Sequence, residues 1–231
     1  MSLKRFAAPA FWPIEKKTKK FIVKPRPGSH RKSKCIPLGL VIRDMLKYAM
    51  TMKEANLILN SGSVRVDGVV RRDKGFGVGL MDVVTIGDES YRVLPGRKGL
   101  YLSKIGKDES NTKLLKISDK RVIKKGKFQL SMHDGRNIVA DGTYRTNDTL
   151  VFDVAQKKIR DTIKLEKGCT SLITGGKNIG TVATVEEIII TQNSMPNQVV
   201  IDINGRKIML PRDYVFAVGK DKPAIKIGET R

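Results

Sequence analysis

Four prolines in the first 36 residues, at positions 9, 13, 25 and 27, restrict this segment more than any other feature of the sequence does. Proline fixes φ and removes a backbone donor, so the segment can form no long helix and favours extended or polyproline conformations. It also carries 11 Lys and Arg residues with Glu15 as its only acid, a net charge of +10. We therefore predict a basic, extended N-terminal arm over residues 1–36.

Large apolar side chains alternate with the charges of this N-terminal arm: Phe6, Phe11, Trp12, Phe21 and Ile22. The arm could be a flexible, solvated tail. Alternatively, it becomes ordered against RNA, where aromatic rings stack on unpaired bases and Lys and Arg side chains meet phosphates. The interleaved rings favour the second interpretation.

The whole chain of 231 residues is strongly basic, with 45 Lys and Arg against 23 Asp and Glu and a net charge of +22. Such a chain repels itself unless a polyanion neutralises it, and nucleic acid is the first candidate. A membrane surface is the second, but we find no basic amphipathic helix, no lipidation signal and no apolar run near the roughly 20 residues that span a bilayer. We expect a soluble, cytoplasmic protein that binds no membrane.

The two cysteines, Cys35 and Cys169, form no CxxC pair and have no nearby pair of histidines. This pattern predicts neither a zinc site nor a disulfide framework. We expect no metal and no cofactor.

Two helices and a small sheet are predicted in residues 37–89. The first helix, of about three turns, follows from apolar residues at helical spacing: Leu38, Ile42, Met45, Leu46 and Ala49. The second begins with the capping box Thr51-Met52-Lys53-Glu54 and ends at Gly62. Strands are predicted at 63–66, 69–72 and 83–86, with Asp67-Gly68 as the hairpin turn between the first two.

Residues 90–165 predict a central β-rich module, with short strand-like runs at 91–94, 114–117, 128–132, 137–139 and 150–154. His133-Asp134-Gly135-Arg136 predicts a tight hairpin turn between two of these runs. Residues 97–127 carry 11 Lys and Arg against three acids, which predicts one strongly basic edge.

A third β unit is predicted over residues 166–220, followed by a short C-terminal tail over 221–231. Its strand-like runs lie at 171–173, 181–185, 188–190, 199–203, 206–210 and 213–218. The turn Asn204-Gly205 between two of these runs is a strong hairpin signal. The whole chain is thus predicted to be an α+β protein of several modules.

The unit from Leu38 to Ile86 resembles the αL RNA-binding domain of ribosomal proteins, tyrosyl-tRNA synthetases and pseudouridine synthases. The matching positions are Thr51, Glu54, Ala55, Leu57, Ile58, Gly62, Val64, Val66, Asp67 and Gly68. Met52 stands where that domain usually has an arginine, and Leu38 and Leu40 replace the charged pair that opens its first helix. Arg43, Lys47 and Lys53 on the helix faces either contact RNA or are simply solvated.

The stretch from Lys167 to Val185 resembles the KOW motif of ribosomal and transcription-elongation proteins. Gly168, Gly175, Lys177 and Gly180 occupy the expected places. Glycines let the backbone approach a phosphate closely, and Lys177 supplies charge at the loop tip. The spacing GxxxxGK[ST] of a nucleotide-binding P-loop is absent, because Asn178 follows the lysine. The resemblance implies a C-terminal SH3-like β-barrel.

The ordered combination of basic arm, αL-like unit, central β module and KOW-like stretch resembles one family over nearly the whole chain. Further segments that carry the resemblance are 3–5, 12–14, 25–28, 128–137 and 174–178. The family is the small-subunit ribosomal protein four of the "e" type, found in archaea and eukaryotes. The resemblance implies a structural constituent of the small ribosomal subunit that binds rRNA beside neighbouring ribosomal proteins, with no catalytic activity, no small-molecule substrate and no homo-oligomer.

The predicted RNA contacts are mostly cations distributed over the arm and the module faces. They are Lys4, Arg5, Trp12, Lys16, Lys17, Lys19, Lys20, Lys24, Arg26, His30, Arg31, Lys32, Lys34, Arg43, Lys47, Lys53, Arg65, Arg71, Arg72, Arg97, Lys98, His133, Arg136, Lys177 and Asn178.

Two other functions remain open from the sequence. An RNA-modifying enzyme with an αL targeting domain would need a large catalytic domain with a nucleophilic aspartate in a shaped pocket. The remaining segments are too short and too rich in predicted hairpins for one. A transcription or translation accessory factor could also use a KOW motif, but the long basic arm argues against it.

Overall fold

The computed structural model describes residues 2–15, 17–123, 126–193, 195–203 and 205–227. These residues form two compact units: the first takes residues 1–94 and 98–113, and the second takes residues 95–97 and 114–231. Short helices and many antiparallel strands make up both units, so the predicted mixed α and β character is confirmed. No described helix is long and apolar enough to cross a membrane.

The first unit contains most of the helical residues. Its elements are β1 (Ser2–Lys4), β2 (Phe21–Val23), β3 (Cys35–Pro37), α1 (Leu38–Leu40), α2 (Met52–Asn60), β4 (Val64–Val66), β5 (Val69–Val70), β6 (Gly77–Gly79), β7 (Val83–Ile86), β8 (Glu89–Gly96), β9 (Gly99–Ile105) and α3 (Lys107–Ser110). Strands β1 and β2 form one ribbon, β3 and β6 a second, and a five-stranded sheet has the order β5-β4-β7-β8-β9.

The second unit consists mainly of two five-stranded sheets. Its strands are β10 (Thr112–Val122), β11 (Phe128–Met132), β12 (Asn137–Ala140), β13 (Thr149–Asp153), β14 (Lys158–Ile163), β15 (Thr170–Ile173), β16 (Val182–Ile189), β17 (Gln198–Ile203), β18 (Arg206–Pro211) and β19 (Val215–Gly219). The sheet orders are β12-β11-β10-β13-β14 and β18-β17-β16-β15-β19.

The N-terminal arm packs against the core of the first unit, and its strands β1 and β2 have the extended backbone that the sequence predicts. Trp12, Ile22 and Val23 are buried in the same apolar cluster as Leu38 and Leu59. The prolines do prevent a long helix, but burial of the arm's own apolar residues favours short strands packed against the core. The arm's buried contacts are therefore made with the chain's own core.

The first predicted helix is shorter than three turns. Three α-helical residues, 38–40, continue as a π-helix over Val41–Met45, where the Leu46 amide donates to the Val41 carbonyl at 3.0 Å. Lys47 has φ of +58°, a left-handed conformation that ends the helix. Ala49 is buried as expected from the apolar pattern, but it lies beyond the helix.

Helix α2 confirms the predicted capping box. The Glu54 amide donates to the Thr51 Oγ1 at 3.3 Å, and the Glu54 carboxylate accepts from the Thr51 amide at 3.4 Å. Gly62 follows the helix with φ of +78°, as a left-handed C-terminal cap requires. These features are local in sequence, which is why the pattern alone located the helix start.

Several strand pairings could not be read from the local pattern. Strand β8 pairs with β7, so the sheet of the first unit continues through the predicted module boundary at residue 89. Six strands were not predicted: β1, β2, β3, β6, β9 and β14. The hairpins at 133–136 and between β17 and β18 are confirmed, although Asn204 lies outside the described residues.

A buried ionic network connects the N-terminal arm to the rest of the first unit. The Lys113 ammonium, with no exposed surface, donates to the carboxylates of Asp67 and Asp82 at 2.6 Å each. The second oxygen of Asp82 lies 2.9 Å from the His30 Nε2 and accepts from the Gly79 amide at 2.8 Å. Gly79 must lack a side chain, because a Cβ there would lie 2.5 Å from the His30 ring.

The pKa values of the two aspartates in this network are shifted in opposite directions. Burial by itself raises the pKa of Asp82, but Lys113 and His30 outweigh it and hold that pKa well below its usual range. For Asp67, burial and the neighbouring Asp82 charge outweigh Lys113 and raise the pKa. Asp82 is therefore the carboxylate that the network favours in its charged form.

Replacing Lys113 with Met should lower the free energy of unfolding by about 3–5 kcal/mol, because it leaves two buried carboxylates without their cation. The matched control is Lys107→Met, which removes an ammonium that is 76% exposed and should change stability by no more than about 0.5 kcal/mol. Denaturant unfolding at pH 7 measures both. Equal midpoints for the two variants would contradict the importance of the network.

Lowering the pH should remove the stabilisation that the Asp82 carboxylate gives to the folded state. Because its pKa is lower in the folded than in the unfolded chain, its stabilisation is present above the ordinary value of 3.8 and is lost as the pH falls below it. The difference in unfolding free energy between the unsubstituted protein and Asp82→Asn should therefore be largest at neutral pH and should narrow below about pH 4. A difference that stayed constant down to pH 2 would refute this assignment.

Candidate nucleic-acid interface

The folded N-terminal arm buries Trp12, Ile22 and Val23 and turns most of its cations to solvent. The exposed cations are Lys4, Lys17, Lys19, Lys20, Lys24, Arg26, Arg31, Lys32 and Lys34. Lys16, also predicted as a contact, lies outside the described residues. These cations are carried on a segment whose apolar residues pack in the core of the first unit.

Two arginines of the arm have internal partners. Arg5 donates from Nε to the Glu15 carbonyl at 3.1 Å and from Nη2 to the Ile14 carbonyl, so its guanidinium closes the loop that follows β1. Arg26 remains mostly exposed while its Nε lies 3.2 Å from an Asp73 carboxylate oxygen. Arg5 mainly shapes the arm, and Arg26 can still meet a phosphate.

Trp12 and His30 are not surface residues, which corrects their prediction as RNA contacts. The Trp12 side chain is in the core at 3% exposure, and its Nε1 donates to the Cys35 carbonyl at 2.8 Å. His30 is buried beside Asp82. The sequence could not distinguish an outward from an inward ring, because both residues are separated by more than twenty positions from their partners.

Of the three helix cations, two are available. Lys47 and Lys53 are exposed, whereas the Arg43 guanidinium is mostly covered and donates to both Asp44 carboxylate oxygens at 2.9 and 2.8 Å. This neutralised pair reduces the capacity of Arg43 to contact a phosphate.

The sheet of the first unit adds a second group of cations. Arg65 and Arg72 are exposed, and the Arg71 guanidinium lies over the Phe76 ring at 4.4 Å, which fixes its direction. Arg97 and Lys98 are exposed in the turn between β8 and β9. Four of these five side chains are exposed to solvent, and the Phe76 ring holds the direction of the fifth, Arg71.

In the second unit, the predicted turn histidine has internal contacts. The Lys116 amide donates to the His133 Nδ1 at 3.1 Å, and the His133 ring packs edge-on against Phe216 at 5.4 Å between centroids. Arg136 pairs with the buried Asp134 carboxylate at 3.1 Å. His133 thus supports packing inside this unit; the residue is only half-buried, and its RNA contact stays a prediction.

Lys177 occupies an exposed position in a well-anchored loop. The Tyr214 ring covers the loop at Gly175, where a Cβ would come within 2.7 Å of the ring, and the Thr174 amide donates to the Tyr214 carbonyl at 2.8 Å. The Asn178 carbonyl accepts from the Thr181 amide at 3.2 Å. The loop therefore presents Lys177 with little backbone freedom.

The predicted basic edge over residues 97–127 is weaker than its composition indicates. Lys113 is buried and paired with Asp67 and Asp82. Lys116 is also buried, and its Nζ donates to the carbonyls of Asp213 at 3.1 Å and Val215 at 2.8 Å. Lys124 and Lys125 lie outside the described residues. Composition counts charges, but only packing decides which of them reach solvent.

Sequence reasoning missed two exposed cations at the turn between β13 and β14. Lys157 and Lys158 are exposed there, and Lys157 has φ of +54°. A Lys-Lys pair between two strand-like runs was the available signal. Arg160 nearby is bound to the buried Asp153 carboxylate.

Comparisons with known proteins place the chain among ribosomal proteins. A family profile described as "Ribosomal family S4e" matches residues 87–159, and one described as "RS4NT (NUC023) domain" matches residues 1–33. The small ribosomal subunit protein eS4 of Methanosphaera stadtmanae is 44% identical over 97% of this chain and 95% of its own length. The protein of the same name from Methanothermobacter thermautotrophicus is 43% identical with the same coverage.

A solved structure agrees with these matches. The crystal structure of the 30S ribosomal protein S4e from Thermoplasma acidophilum superposes with a TM-score of 0.72 at 33% identity, covering 81% of this chain and 96% of that one.

Replacing Lys19 and Lys20 together with Gln should reduce the slope of log affinity against log salt for a folded RNA by about 2, because each exposed lysine that meets a phosphate releases about one counterion. The matched control is Arg43→Gln, whose guanidinium already pairs with Asp44, and its slope should stay unchanged. Filter binding across a salt series measures both. An unchanged slope in the double variant would remove this part of the arm from the interface.

Proposed function

This chain belongs to the S4e family of ribosomal proteins, and we propose on that basis that it is a structural constituent of the small ribosomal subunit. It binds and stabilises folded rRNA, beside neighbouring ribosomal proteins, during subunit assembly and translation in the cytoplasm. The observation that carries this proposal is the near full-length identity to proteins named eS4, joined to a folded arm whose cations face solvent.

Neutralisation of phosphates supplies most of the binding energy in this proposal. Exposed Lys and Arg side chains release condensed counterions when they meet the RNA backbone, so affinity falls steeply as salt rises. The fixed positions of these cations select RNA by shape and backbone path, with few base contacts. The arm acts here as a rigid basic face of the first unit.

We further propose that two local structures act as known RNA-binding elements. Residues 38–86 correspond to an αL-type module, a reading supported by the capped helix α2 and the Asp67-Gly68 turn, whose φ values are +48° and +71°. The loop around Lys177 corresponds to a KOW motif within an SH3-like barrel, a reading supported by its anchored backbone and the five-stranded sheet behind it. Lys47, Lys53 and Lys177 are the proposed contacts of these elements.

The same proposal includes no catalytic step, no cofactor, no small-molecule substrate, no membrane and no homo-oligomer. The settings of the histidines support the absence of a catalytic step, since His30 is buried beside Asp82 and His133 packs on Phe216. Burial also raises the pKa of the Cys35 thiol to about 11, and that of Cys169, which keeps both thiols protonated.

Sedimentation tests the proposal directly. The tagged chain, expressed in an archaeal cell, should sediment with small subunits and whole ribosomes in a sucrose gradient. The Lys19→Glu, Lys20→Glu variant should shift toward the top, because it reverses charge on the proposed RNA face. Lys107→Glu, outside the arm, is the matched control and should behave as the unsubstituted chain. Sedimentation with RNA polymerase, or only as free protein, would contradict the proposal.

A further inference from the structure

Two phenylalanines of the N-terminal arm remain in solvent although the same segment buries its other large apolar residues. Phe6 is 88% exposed and Phe21 is 52% exposed, whereas Trp12 and Ile22 are in the core. An isolated apolar side chain on a surface needs no explanation, but a pair of aromatic rings on one short ribbon is a recurrent mark of a binding site.

The β1–β2 ribbon brings the two rings to the same end. Lys4 pairs with Phe21 across the ribbon, and the Arg5 amide donates to the Lys20 carbonyl at 3.0 Å. Phe6 follows directly, in the 3-10 turn Arg5–Ala7. Phe6 is therefore two residues beyond the partner of Phe21, on backbone held by the Arg5 guanidinium.

Cations flank the rings along the chain and across the ribbon: Arg5 precedes Phe6, Lys20 precedes Phe21, and Lys4 is the partner of Phe21. Lys4, Lys19 and Lys20 are exposed, and the Lys20 Nζ lies 5.7 Å from the centroid of the Phe21 ring. Glu15 is the one acid of the arm. An apolar protein surface would gain from the rings but not from the lysines, whereas a nucleic acid offers both flat bases and phosphates.

We propose that Phe6 and Phe21 form a stacking site for unpaired bases of RNA, with the neighbouring lysines on the adjoining phosphates. The site rests on the proposed rRNA-binding function and adds to it a preference for single-stranded loops or bulges over continuous duplex. Bases within a duplex are already stacked on their neighbours, so only an unpaired base can offer its face to a side-chain ring. Recognition by stacking tolerates any base, because every base has a π face.

Binding of full-length protein to two probes tests the site: a short single-stranded RNA and the same strand annealed to its complement. Phe6→Ala with Phe21→Ala should weaken single-strand binding at least about tenfold, since base–aromatic stacking contributes appreciably for each base. Duplex binding and the salt slope for either probe should stay unchanged, because no phosphate contact is removed. Phe6→Tyr with Phe21→Tyr keeps both rings and should restore single-strand binding.

The control variant is Ile190→Ala, which removes a side chain 74% exposed in the second unit and should leave both affinities unchanged. Unfolding midpoints establish that the double alanine variant folds. If the unsubstituted protein bound neither probe, the proposed rRNA-binding function would fail. The unsubstituted protein could instead bind both probes with a steep salt dependence while the double alanine variant binds the single strand as tightly as the unsubstituted protein does. That result would overturn the stacking site alone and leave the proposed rRNA-binding function standing.

Discussion

The Lys113 ammonium lies between the carboxylates of Asp67 and Asp82, and the second oxygen of Asp82 faces His30 in the N-terminal arm. This buried chain of contacts joins four segments that are far apart in sequence. Each charge in it would be costly in the interior alone, and each is tolerated because the others are in place. The position of the arm, and so the position of its exposed cations, depends on this network together with the burial of Trp12.

The buried aspartates are paired with a buried lysine, so they do not neutralise cations on the surface. Asp67 and Asp82 are two of the 23 acids in a chain of net charge +22, and both are directed inward to a lysine. Lys116 is likewise held inside by backbone carbonyls. Several outward cations pair with carboxylates, as Lys104 does with Glu89 and Lys207 with Glu186. The charge that a polyanion can meet therefore lies mainly with exposed cations of the arm such as Lys19 and Lys20.

Local features of this fold could be predicted from the sequence, and long-range features could not. The capping box at Thr51 and the Asp67-Gly68 turn depend on residues within four positions of one another, and both were located. The burial of Trp12 and His30 depends on partners 23 and 52 positions away, and both were misplaced. The general basic interface followed from composition, but its division into exposed lysines, paired arginines and interior lysines required the packing.

The burial of the arm's apolar residues also affects the thermodynamics of RNA binding. Ordering a free segment costs roughly 1–2 kcal/mol per residue in backbone entropy, and a disordered tail meets that cost when it binds. Here the cost is met when the chain folds, since Ile22 and Val23 are already buried in the core. Association with RNA should then lack the large negative heat-capacity change of coupled folding, and the arm should engage as a preorganised surface.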